Sequence, residues 1–166
     1  LNPRTPISSP AAALLQTLTR LVTTQTELRD VLSQQAAAMR GLDVATMATA
    51  SRRQETLHRS LLRLEAERRK QAKLCARARG LGSDATLVTI ANAFADERDA
   101  LLAKRLELRE VTTVTRDLGQ ACSRLAGGVL AHLNQALRIV HKPWIYSSTG
   151  EPPLQPGLAR RVRTSG

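Results

Sequence analysis

The sequence predicts an all-α protein: an elongated antiparallel helical hairpin or coiled-coil bundle of three long helices, with a short connecting helix. Three observations carry this expectation. Apolar residues make up 42% of the 166 residues, yet aromatics only 2%. The apolar content is mostly Leu and Ala beside abundant Arg and Glu, which suits long helices closed by leucine seams. Leucines recur in alternating steps of four and three, and Gly, Pro and Asp punctuate those runs where helices end or begin.

Residues 1–9 (LNPRTPISS) are rich in Pro and Ser and read as a disordered segment. Ser9-Pro10 is a helix start, a hydroxyl N-cap followed by Pro at the first helical position. From about 10 to 40, Leu14, Leu18, Leu21, Gln25, Leu28, Leu32, Gln35 and Met39 form a seam, widened by Leu15, Val22 and Val31. The two glutamines weaken its packing while fixing register. Gly41 ends this helix and Leu42-Asp43 turns the chain.

Asp43 caps a second helix, about 43–79. Its early seam is weak (Val44, Met47, Ala48) and its later one stronger (Leu57, Leu61, Leu64, Gln71, Leu74, Cys75, Ala78). Gly80-Leu81-Gly82 stops it, with a glycine suited to the left-handed conformation past the helix end. A short apolar helix follows over about 84–94, starting at Ser83-Asp84, with Leu87, Ile90 and Phe94 as its inner face.

Asp96 caps the last helix, about 96–142, and Asp99 also suits its positive end. Leu101, Leu108, Val111, Thr115, Leu118, Cys122, Leu125, Val129, Leu133, Leu137 and Val140 keep a helical period along it. Gly127-Gly128 interrupts the run and predicts a kink or a close helix contact. Pro143 ends it. The bundle therefore spans about 10–146, and 147–166 reads as a disordered basic tail.

No chemistry accompanies these helices. There is no phosphate-binding glycine loop after a strand, and His58, His132 and His141 lack metal-ligand spacing. Cys75 and Cys122 read as buried free thiols. Asp96, Glu97 and Asp99 are explained by helix capping. The expectation is therefore no enzyme, cofactor or metal. No apolar run is long enough to span a membrane, and no signal pattern opens the chain, so a cytoplasmic protein is expected.

The net charge of +11 raises the question of nucleic acid. Residues 52–79 hold ten Lys/Arg against three Glu. The cations read as spread around the helix and interrupted by Glu55, Glu65 and Glu67. No zinc spacing, helix-turn-helix or aromatic-stacking motif joins them. A solvated face is the expected role, and nucleic acid an unlikely partner.

The last helix ends in an apolar stripe with little apolar sequence after it. Such a stripe either packs on the first two helices or waits for a partner helix. Trp144, Ile145 and Tyr146 follow at its exit, and Tyr146 reads first as a plug at the end of the bundle.

The order of these features resembles the FlgN family of flagellar type III export chaperones, over roughly residues 12–150. The second arm carries QETLHRSLLRLEAERRK, in which Gln54, Glu55, Leu57, Leu61, Leu64 and Arg68 match the family's run. Tyr146 and Gly150 match its closing Tyr-x-x-x-Gly. The family's Asn-rich stretch in the long helix is replaced here by Cys122-Ser123-Arg124-Leu125, so no role for those asparagines carries over. The resemblance implies a cytoplasmic chaperone that binds C-terminal helical segments of hook-associated proteins, keeps them unassembled and delivers them to the export apparatus. Carried over by position, Leu118, Leu125, Val129, Leu133, Leu137 and Val140 are cargo-facing candidates. Tyr146, with Trp144 beside it, is the candidate for docking on the export gate. The competing readings are a basic helical nucleic-acid-associated protein and a self-associating coiled coil, the latter consistent with a homodimer.

Overall fold

The computed structural model describes residues 9–140, with side chains through Arg138. All regular structure among the described residues is helical: α1 Pro10–Arg40, α2 Val44–Ala78, α3 Leu87–Ala93 and α4 Arg98–Val140. The expectations for residues 1–8 and 141–166, which include Pro143, Trp144 and Tyr146, lie outside the described residues.

Local chemistry sets each boundary. The Ser9 hydroxyl oxygen accepts the Ala12 N–H at 3.2 Å, leaving Pro10 in the first helical position, where no donor is needed. The same hydroxyl donates to the Glu97 carboxylate, so one serine joins the start of α1 to the residue preceding α4.

Two helix ends are built alike. After α2, the Leu81 N–H reaches the Ala76 carbonyl at 2.8 Å and the Gly80 N–H reaches Arg77 at 3.2 Å. Gly80 takes φ +65°. This is a Schellman end, with a glycine in the left-handed position as the sequence predicts. After α1, Asp43 N–H reaches Ala38 O at 3.0 Å and Leu42 N–H reaches Met39 O at 3.4 Å. Gly41 ends α1 as expected, and the left-handed residue of the turn is Leu42, φ +54°. Asp43 closes this motif and also caps α2, accepting the Thr46 N–H at 3.0 Å.

The third helix starts later than expected. A turn from Gly82 to Ala85, closed by a 3.1 Å bond, occupies Ser83-Asp84. Thr86 supplies the cap by accepting the Thr89 N–H at 3.2 Å. The fourth helix also starts late. Asp96 lies in a turn closed by the Glu97 N–H on the Phe94 carbonyl, and the helix begins at Arg98.

The chain divides into two compact units, Leu1–Val129 and Leu130–Gly166. In the first, the core gathers around α1, where Leu14, Leu18 and Leu21 are fully buried with Ile90, Leu101 and Cys75. Contacts with α2 run in opposite order along the two helices. Thr17 and Arg20 reach Glu67, Glu27 reaches Arg53, and Gln35 reaches Ser51. Contacts with α4 run in the same order: Thr115 Oγ1 donates to the Gln25 carbonyl at 3.4 Å and Cys122 Sγ to the Leu32 carbonyl at 3.3 Å. Because α1 meets both helices, its buried face is broader than one coiled-coil seam, taking in Ala11, Thr17, Val22, Val31, Ala36 and Ala38.

Several seam assignments shift for the same reason. Met39 and Gln25 are only half-buried, and Val44 and Ala48 are exposed. Toward its end α2 packs on α3, so Cys75 and Ala76 turn inward while Leu74, at 42% exposure, and Ala78 turn out. A Cβ at Gly127 or Gly128 would meet nothing within 4 Å, so no close helix contact accounts for the glycine pair.

Candidate functional site

The apolar period of α4 changes character along its length. Leu101 is fully buried, and Leu108, Leu118 and Leu125 pack half-buried against the core cluster. Between them Thr115 is buried and bonded to the Gln25 carbonyl, and Cys122 is bonded to the Leu32 carbonyl. Both of these pairs are offset by 90 residues. The first unit ends at Val129.

The candidate surface of the sequence is thereby divided. Leu118 and Leu125 pack half-buried against the core cluster, and Val129 is half-buried. Leu133 is 55% exposed and Leu137 54% exposed. The side chain of Val140, and Trp144 and Tyr146 entirely, lie outside the described residues. The structure adds Leu130, 60% exposed, which the sequence reading left out because the seam period selects Val129 instead. At 100° per residue, Leu130, Leu133 and Leu137 fall within an arc of about 60°. The second unit therefore presents three leucines on one helical face. The residues between them are Ala131, His132, Asn134, Gln135 and Ala136, all exposed.

Full burial of a leucine contributes about 1.5–3 kcal/mol. With more than half of Leu130, Leu133 and Leu137 exposed, covering all three would contribute about 2–5 kcal/mol.

Cys75 and Cys122 are buried free thiols. Burial pushes both thiols above the usual cysteine range, with the charge of Arg40 opposing the shift at Cys122. Neither is a thiolate at neutral pH. No group of three or more His, Cys, Asp or Glu among the described residues is placed to hold a metal. His58 and His132 are both exposed. An open groove between α1 and α2, lined by Glu27, Asp30, Gln34, Thr46, Thr49 and Arg53, holds the Arg53–Glu27 ion pair at 3.1 Å. No described helix is long and apolar enough to cross a membrane.

No protein-family model, curated protein or solved structure matches the chain.

Proposed function

We propose that this protein is a non-enzymatic cytoplasmic chaperone of the flagellar type III export kind, which holds an apolar helical segment of its client against the end of α4. The observation that carries the reading is the exposed row Leu130, Leu133 and Leu137. The arrangement behind it is an antiparallel hairpin of α1 and α2, with α4 laid along α1. Two facts support that arrangement: the opposite order of the α1–α2 contacts and the constant 90-residue offset between α1 and α4. In this arrangement the hairpin serves as scaffold and the C-terminal turns of α4 as grip.

The identity of the client rests on the sequence resemblance to the FlgN family. That points to the C-terminal helices of hook-associated proteins, with Tyr146 and Trp144 available for the export gate. The chemistry of the row favours such a client, because an amphipathic helix matches an i, i+3, i+7 row of leucines side chain for side chain. Co-expression with the hook-associated proteins of the same genome tests the proposal. A soluble, stoichiometric complex with at least one of them is expected. Failure to form a complex with any of them at micromolar concentration sinks it.

A further inference from the structure

Placed on their helix, six of the ten cations of residues 52–79 gather on one side of α2, while Arg53, Arg68 and Arg69 lie elsewhere around it. The buried side is centred on Ala50, Leu57, Leu61, Leu64 and Cys75. At 100° per residue, Arg52, Arg59, Arg63, Lys70, Lys73 and Arg77 all fall on the opposite side, within an arc of about 80°. All six are exposed. They form a crest about 38 Å long at 1.5 Å per residue. The carboxylates that interrupt the sequence do not interrupt the crest equally. Glu67 turns to Arg20 of α1 at 3.2 Å and Glu65 to Arg68 at 3.0 Å, both away from it. Only Glu55 engages a crest residue, Arg59, at 2.8 Å. Arg63, Lys70, Lys73 and Arg77 form no ion pair among the described residues.

A crest of like charges repels itself and is relieved by a polyanion. We propose that the outer crest of α2 binds the phosphate backbone of double-stranded nucleic acid without reading its sequence, independently of what the end of α4 holds. Four of the six cations are arginines, whose planar fork meets phosphate oxygens in pairs. No Phe, Tyr or Trp lies on α2 to stack on an unpaired base, and its His58 lies off the crest, which favours a duplex over a single strand. Membrane-surface helices sink an apolar face and keep their cations beside it. The order here is reversed, with cations on the crest and the exposed Leu62 and Leu74 on its flanks. An acidic partner helix would need apolar crest positions to dock against, and the crest offers only Ala66.

The test is fluorescence anisotropy of the full chain with a mixed-sequence DNA duplex of about 24 base pairs, repeated between about 50 and 200 mM salt. Six phosphate contacts predict a log–log salt slope of about −5 and a loss of about 10³-fold in affinity over that range. Arg63→Gln/Lys70→Gln/Arg77→Gln should make the slope about 3 units shallower. Arg109→Gln/Arg116→Gln/Arg124→Gln removes the same charge from exposed positions of α4 and should leave the slope nearly unchanged. Should the triple crest variant lose helicity, the single Lys70→Glu change is expected to weaken binding in its place. Equal weakening by the two triple variants, no binding at the lowest salt, or tighter binding to phosphatidylcholine vesicles containing phosphatidylserine than to the duplex would each overturn the proposal.

Discussion

Two glutamines sit in the same α1 seam and should respond differently to the same substitution. Gln35 is 8% exposed, and its amide nitrogen donates to Ser51 Oγ on α2 at 3.2 Å. Gln25 is half-buried, and its Oε1 is buried with no hydrogen-bond partner among the described residues. An unsatisfied buried acceptor costs about 1–3 kcal/mol, whereas a satisfied one contributes about 0.5–1.5 kcal/mol. Gln25→Leu removes the orphaned oxygen and keeps the backbone carbonyl that receives Thr115. It also leaves helix propensity almost unchanged. The expected gain is about 1–2 kcal/mol, or about 2–8 °C in melting temperature for a chain of this length. Gln35→Leu loses a made bond and should be neutral or about 1 kcal/mol destabilising. Thermal and urea unfolding followed by helical circular dichroism measures both. A Gln25→Leu protein no more stable than its parent, or a Gln35→Leu protein that gains, would refute the reasoning. The first of these outcomes would show that the oxygen is solvated, and hence that α1 and α4 are not closed over it.

Three further outcomes follow from the same packing. Gly80→Ala should cost about 1 kcal/mol although a Cβ there meets nothing within 4 Å, because the cost lies in the left-handed backbone at φ +65°; urea unfolding reads it. Hydrogen bonds from the Thr46 hydroxyl and N–H hold the Asp43 carboxyl below its ordinary value. Its contribution is therefore complete above about pH 4 and lost as pH falls through the depressed folded value. Melting Asp43→Asn and the parent from about pH 6 down to about pH 2 should show the difference between them shrinking with acid, and a constant difference would contradict the cap. Cys75 and Cys122 should react with a thiol reagent only as fast as the native helices open, since burial removes both access and thiolate. Rapid labelling of the native protein would refute their burial.

The helices were legible in the sequence where the signal is local. Ser9-Pro10, Asp43 and Gly80 mark boundaries by their own hydrogen bonds and backbone conformations, and each stands where the structure uses it. Leu42 was not legible as a left-handed residue, because a leucine takes that conformation only when the surrounding hydrogen bonds demand it. The start of α3 shifted because three hydroxyl or carboxylate caps, Ser83, Asp84 and Thr86, compete within four residues, and the turn at Gly82–Ala85 leaves the role to Thr86. The candidate surface depended on burial along α4, which no local pattern encodes. Period alone ranks Leu118, Leu125, Leu133 and Leu137 alike. In the structure the first two pack against the core, whereas the last two, with Leu130, are exposed. Counting charges along α2 mixes crest and flank: angular positions put six of the cations together and leave Arg53, Arg68 and Arg69 elsewhere, with Glu67 drawn to Arg20.

The central claim is that the exposed leucines at the end of α4 grip a client rather than complete a core. Titration calorimetry of the parent and of Leu130→Asp/Leu133→Asp against a hook-associated protein that co-purifies with the parent tests it most directly. Losing about 2–3 kcal/mol of apolar contact predicts binding weakened about 30- to 150-fold, with the unfolding midpoint unchanged because both side chains are more than half exposed. Unchanged affinity, or a double variant that unfolds, would contradict the claim.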